Sequence, residues 1–407
     1  MICEGQTYDR IAVSISNGHG FAFGAGMPTA IVMPLYPAFL ALLYWVFGHS
    51  VTAGLLGNAV LSSFTCVIIY FIAKKIFNER VGILSAFIAS LHYFLISAVT
   101  RLWTETLFTF FVTLSIYYFI KILYEEHSLL KLVIFSIICA FSVLVKPGFV
   151  FFPFILILFL FIRDVAARKG TFTSFLKASV IILLIFLLPI LLWSARNFVV
   201  FKSFMPLSSE SGLGLYLSYN PEKGKIFGTK DIHDPVIQKG ELIESEVKRN
   251  EFYKNEASGV IRDLGFAKLF KLVLLKIYFF WNIIDWEFIG NGLATYNYAS
   301  AFIYPFFLLG VLLCFKNNIK ALLLAVPVFY AMAFSALTMG MARFRMPIEP
   351  CLIIFSGYAI YFLYKNLNRL WVSVSIGSWL ILNIYLYYNS HNAKLFFKFI
   401  GIKLGLW

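Results

Sequence analysis

Eight charged residues of this chain, six at the ends of its apolar runs and two ahead of the first run, are of the types that hold anions or move protons. Three are acids, Glu4, Asp9 and Glu105; five are bases, Arg101, Lys146, Arg196, Arg343 and Arg345. Charges near a bilayer are costly and usually mark function. Two or three carboxylates facing four or five cations suit the transfer of a group off a lipid phosphate. Arginine and lysine hold the phosphate, and a carboxylate takes the proton from the attacking hydroxyl. A phosphate leaving group carries its own charge and needs cations rather than a general acid, whereas a hydroxyl acceptor needs one base.

Each residue alone has a plainer reading. Arginine and lysine at span ends snorkel to headgroups. Glu105 can favour the start of a following helix, with Thr104 or Thr100 as its cap. Asp9 fits a solvated helical position. His19, inside Gly-His-Gly, suits a turn better than a metal, since no second histidine lies near it in sequence. The weight rests on the arrangement.

The elements that must position these residues are membrane helices. The chain is 60% hydrophobic and 13% charged, where soluble domains are about a quarter charged. Its net charge of +14 reads as positive cytoplasmic loops and affinity for anionic headgroups, with no nucleic acid as partner. The five cysteines show no CxxC spacing, so neither a disulfide framework nor a zinc site is expected. The first 20 residues lack the apolar core of a signal peptide. No Asp-x-Asp is present, which argues against a nucleotide-sugar site with Mg²⁺, and no cofactor or metal is expected.

Ten apolar runs of roughly spanning length fall near 51–73, 81–99, 106–123, 131–145, 149–162, 178–194, 299–315, 321–339, 348–364 and 370–388. The fold class is therefore an all-α polytopic bundle. It divides into an outer loop with interfacial helices (1–50), six spans (51–194), a long outer loop with an amphipathic stretch (195–298) and C-terminal spans (299–407). Residues 35–48, LYPAFLALLYWVFG, read as an interfacial helix. Four basic clusters, Lys74/Lys75/Arg80, Arg163/Arg168/Lys169/Lys177, Lys316/Lys320 and Lys365/Arg369, share one side if residues 1–50 lie on the other. That orientation requires 265–289 to lie on or dip into the outer surface rather than span.

The sequence resembles the polytopic GT-C glycosyltransferases of the dolichyl-phosphate-mannose–protein mannosyltransferase type, which include the bacterial aminoarabinose transferases. The likeness starts at EGQTYDRIAVSISNGHGF, where an acid is followed four residues later by Tyr8, then by an IA helix and a glycine turn. It continues through PLYPAFLALLYWVFG, TETLF, LVKPGFVFFP, RNFVVFKSFMPLSSESGLGLYLSYNP and RFRMPIEP. It implies a sugar on a polyprenyl-phosphate carrier, attacked by a lipid, glycan or protein acceptor with inversion, at the outer face of the cell membrane. By position Glu4 matches the catalytic acid of the first outer loop and Glu105 that of the second. Arg196, Arg343 and Arg345 match basic residues near the carrier phosphate; Arg101 and Lys146 join them by their place at span ends. Asp9, Tyr8 and His19 are secondary candidates.

The pattern departs from the family in three places. Glu4 stands where Asp is usual, Met33 stands where Lys or Arg often precedes the proline, and the family's leading span does not precede Glu4. A truncated or inactive copy is thus one alternative. A glycan polymerase or ligase using a lipid-linked donor is another. A flippase or transporter is a third, though span centres nearly free of charge argue against ion coupling.

Overall fold

The computed structural model describes residues 4–125, 128–166, 170–220, 233–285 and 295–388. Arg168 and Lys169 lie outside them, as does the side chain of Glu4. The chain is a multi-pass membrane protein. Two helices come first, α1 (Glu4–Ser16) and α2 (Leu35–Phe47). Then come α3 (Val51–Ile76), α4 (Glu79–Ser90), α5 (Tyr93–Val99), α6 (Glu105–Tyr124), α7 (Leu129–Val145), α8 (Phe152–Phe161) and α9 (Phe172–Phe201). The connecting region 202–297 holds α10 (Ser211–Tyr219), α11 (Pro235–Glu241), α12 (Glu246–Trp281) and a two-residue strand pair, Ile284–Asp285 with Thr295–Tyr296. The last helices are α13 (Tyr298–Asn317), α14 (Ala325–Leu337), α15 (Glu349–Asn366) and α16 (Arg369–Tyr388), with a 3₁₀ helix over Ala342–Ile348.

Local signals set many of these boundaries. Side chains of Asn78, Ser128, Thr171, Ser245 and Asn297 accept from backbone N–H groups at the starts of α4, α7, α9, α12 and α13, satisfying donors that a helix start leaves open. Lys146 ends α7 in an extended conformation because Pro147 follows it and disfavours the helical region.

All ten apolar runs become helical, with two differences from the sequence-based expectation. Among the described residues eight helices are long and apolar enough to cross a bilayer, nine if α4 and α5 count as one bent span. That pair, the 81–99 run, bends by 53° because His92 between the two helices takes an extended ψ of 106°. The 131–145 run becomes α7, with 17 residues. That is about 26 Å at 1.5 Å per residue, a little short of the ~30 Å hydrocarbon core. The stretch 265–289 is not a separate element either: its first part continues α12, which breaks direction at Gly265.

The bundle has two chemically different ends. At one, Glu125 accepts from Lys75 and from Lys131 at 2.7 Å, and Arg163 donates to Ile122 O at 3.2 Å. Asn318, between Lys316 and Lys320, donates to Ile76 O at 3.1 Å. Three of the basic clusters therefore share this end. α12 is not among the helices apolar enough to span, and α13 enters and leaves the bundle as that arrangement requires. The opposite end gathers α1, α2, the 17–34 turn region and the α5–α6 loop, and it holds the candidate site.

Candidate functional site

The site is built around the first turn of α6. Glu105 stands there, where a carboxylate interacts well with the helix dipole. Thr104 makes no cap bond, and its hydroxyl lies 3.4 Å from Glu105 Oε2. Thr100 donates instead to Ser97 O. Neither threonine is therefore the cap that the sequence suggests.

The carboxylate of Glu105 is taken by two cations from distant parts of the chain. Lys146 Nζ donates to Oε1 at 2.6 Å, and Arg343 Nε donates to the same oxygen. The extended backbone before Pro147 aims Lys146, and the 3₁₀ helix 342–348 aims Arg343. The guanidinium groups of Arg343 and Arg101 lie 4.3 and 4.5 Å from the centroid of Trp103, and Lys146 lies 5.2 Å from that of Phe344. Two cations thus hold one carboxylate, and a third, Arg101, shares the Trp103 ring with Arg343. The Glu105 side chain is 2% exposed, whereas Lys146 is 23% and Arg343 12% exposed, so the cations rather than the acid meet the solvent side. This is a basic surface held together by a buried acid.

Neighbouring elements fix the cluster. Asn58 of α3 donates to Arg101 O at 3.0 Å and to Tyr36 OH at 3.2 Å, tying the α5–α6 loop to α2. Tyr8 is buried with its ring edge-on to Tyr36, centroids 5.2 Å apart, which docks α1 on α2. The start of α1 reaches the same loop: a Cβ on Gly5 would stand 3.3 Å from Leu102 O. The backbone next to Glu4 therefore lies against Leu102.

The remaining candidates lie elsewhere. Arg196 braces the first loop, donating to Thr29 O at 2.7 Å and Phe21 O at 2.8 Å. Glu246 holds the same loop through Thr29 Oγ1 at 2.6 Å and Ala30 N at 2.9 Å. Asp9 accepts from Tyr44 OH at 2.7 Å and pairs with His49 at 3.1 Å. His19 is exposed in its turn.

Arg345 is sealed in the bundle, fully buried. Its Nε donates to Glu349 Oε1 at 2.7 Å, its Nη2 to Ser300 Oγ at 3.0 Å and its Nη1 to Phe280 O. Its guanidinium is committed to protein partners, not to the basic surface. The signal for this is in the sequence: Glu349 stands four residues after Arg345. Trp103 and Phe344, which flank the cations, have no comparable signal beyond their place in apolar runs. Among the described residues no group of three His, Cys, Asp or Glu side chains could hold a metal ion.

Comparison with known proteins adds the family context. The family model for dolichyl-phosphate-mannose-protein mannosyltransferase matches residues 28–193, which include Arg101, Glu105 and Lys146 and leave Glu4, Arg196, Arg343 and Arg345 outside. No curated protein matches the chain. Among solved structures, the archaeal oligosaccharyltransferase AglB from Archaeoglobus fulgidus, in complex with an inhibitory peptide and a dolichol-phosphate, aligns at TM-score 0.52 and 14% identity. The alignment covers 95% of this chain and 51% of that one. The same organism's oligosaccharyltransferase tethered to an acceptor peptide aligns at TM-score 0.54 and 14% identity, covering 94% and 50%. ArnT from Cupriavidus metallidurans bound to undecaprenyl phosphate aligns at TM-score 0.40 and 12% identity, covering 90% and 77%. The chain spans about half the length of the oligosaccharyltransferases it matches. By sequence over residues 28–193 the chain resembles the dolichyl-phosphate-mannose-protein mannosyltransferase family, and over nearly its whole length it shares the fold of the archaeal oligosaccharyltransferases.

Proposed function

We propose that this protein is a glycosyltransferase that moves a sugar from a polyprenyl-phosphate carrier to an acceptor hydroxyl at the outer membrane face. The observation that carries the reading is the pairing of Lys146 and Arg343 with Glu105, with Arg101 over the same Trp103 ring as Arg343, at the end of the bundle opposite the lysine-rich loops. If those loops face the cytoplasm, the cluster faces outward. Two cations bound to a single acid, with Arg101 beside them over the Trp103 ring, leave excess positive charge for a phosphate, and partial burial strengthens it. On this reading residues 1–50 and 195–298 form the outer layer over two sets of spans.

The reaction is a single displacement. The acceptor oxygen attacks the anomeric carbon from the face opposite the phosphate, and its proton passes to the carboxylate of Glu4. The bond from the anomeric carbon to the phosphate oxygen breaks, with the electron pair leaving on that oxygen. Arg101, Lys146 and Arg343 hold the developing charge, and the configuration inverts. Glu105 acts through them: an oxygen that already accepts from two cations is placed to aim them rather than to collect a proton. Donor and product lipids would lie along the apolar flank of the bundle, with membrane lipids around it.

The test is transfer by the purified protein in lipid nanodiscs supplied with polyprenyl-phosphate sugars. Glu4→Gln is expected to lower transfer by about a hundredfold or more while the melting temperature stays unchanged. Normal transfer in that variant would reject Glu4 as the base.

A further inference from the structure

The second half of α12 carries a cation that the cluster above does not use. Lys276 is fully buried, and its Nζ has no hydrogen-bond partner. What it does meet is the ring of Tyr219, whose centroid lies 3.7 Å from Nζ. A cation over an aromatic face recovers only part of the hydration that an ammonium loses on burial. Burial accordingly pushes the amine down to about 8. A chain that needed only to fill this space would be more stable with Met or Leu.

Its position connects it to the site. Gly340 packs so closely on α12 that a Cβ there would fall 2.4 Å from Lys276 Cα. Arg343 follows one turn later in the chain and holds Glu105. Phe280, one helical turn beyond Lys276 on the same face, gives its carbonyl to Arg345. Lys276 therefore backs the short segment that delivers Arg343. Its cover is thin: Tyr219 is only partly buried, the last residue of α10, with its hydroxyl donating to Leu337 O at 2.8 Å. A rotation of Tyr219 that breaks its bond to Leu337 O would take the ring off the ammonium.

We propose that Lys276 is a further phosphate-binding residue of the donor site, meeting the carrier phosphate once the Tyr219 ring moves off its ammonium. This deepens the glycosyltransferase reading and rests on it. The ammonium would be the fourth cation of the site, after Arg101, Lys146 and Arg343.

The experiment uses the full chain in phosphatidylcholine nanodiscs, titrated separately with undecaprenyl phosphate, phosphatidylglycerol and inorganic phosphate. Lys276→Met is expected to weaken undecaprenyl phosphate binding by roughly ten- to a hundredfold, and Lys276→Arg to retain most of it. The melting temperature of Lys276→Met should equal or exceed that of the wild type, since the buried charge is gone. The binding of the wild type should fall on the alkaline side as the amine loses its proton, and that of Lys276→Arg should not. Binding of undecaprenyl phosphate by Lys276→Met as tight as the wild type's would overturn this inference and leave the glycosyltransferase reading standing. Equal binding of phosphatidylglycerol or inorganic phosphate by the wild type would overturn the donor assignment in favour of a general anion site. A wild-type protein that binds no undecaprenyl phosphate would remove both readings.

Discussion

Arg343 and Arg345 stand two residues apart in one 3₁₀ helix, and the protein uses them in opposite ways. With three residues per turn, positions two apart point to different sides. Arg343 turns to Glu105 and remains 12% exposed; Arg345 turns to Glu349, and both members of that pair are 0% exposed. One ion pair keeps its cation partly exposed. The other binds α13, α15 and the end of α12 through Ser300, Glu349 and the Phe280 carbonyl. His92 completes that sealed layer, with Nε2 3.8 Å from Glu349. The same residue type thus stands partly exposed in one case and, in the other, has all three guanidinium nitrogens held by the protein.

Three substitutions test this division. The largest effect is expected from Arg345→Met, which strands the Glu349 carboxylate in the bundle and costs about 3–5 kcal/mol. It should appear as a large drop in melting temperature in detergent, with much of it recovered in the double variant Arg345→Met, Glu349→Met. Arg343→Gln should lower sugar transfer by roughly a hundredfold with a far smaller thermal change, because Lys146 still pairs with Glu105. Equal loss of stability in the two arginine variants would erase the distinction. The smallest effect belongs to the partly exposed cluster at the other end, where hydrogen bonds from Lys131 and Lys75 push the Glu125 carboxyl down to about 2. A depressed carboxyl adds stability above the usual carboxylate range and loses it as the pH falls toward 2. Glu125→Gln should therefore cost about 0.5 kcal/mol near neutrality and nothing at the acid end of a melting series.

Much of the scaffold is legible in the sequence because each span needs only a long apolar run and a polar stop. Val51–Ile76, Glu105–Tyr124 and Tyr298–Asn317 follow the runs 51–73, 106–123 and 299–315 within a few residues. The bend at His92 is not legible, since no proline or glycine marks it and the cause is a tertiary setting beside Glu349. At the candidate site, the charges at span ends can be picked out by type and place. Their pairing cannot, because Glu105 and Arg343 are 238 residues apart in sequence and only packing brings them together. The split between Arg343 and Arg345 depends on a 3₁₀ rather than α-helical turn, which residue type does not announce. Lys276 lies in KLVLLKIYFFW, where the aromatic neighbours suggest a lipid-facing wall and hide a lone buried amine.

α12 changes course at Gly265, whose φ of 67° and ψ of 165° belong to glycine alone, with open space where a side chain would stand. Its two halves can therefore take independent bearings. The leading half clasps the loop of Thr29 and Ala30 through Glu246, and the trailing half seats Lys276 and Phe280 behind the arginine segment. A single residue without a side chain acts as the elbow that lets one continuous rod serve the surface layer and the membrane bundle at once.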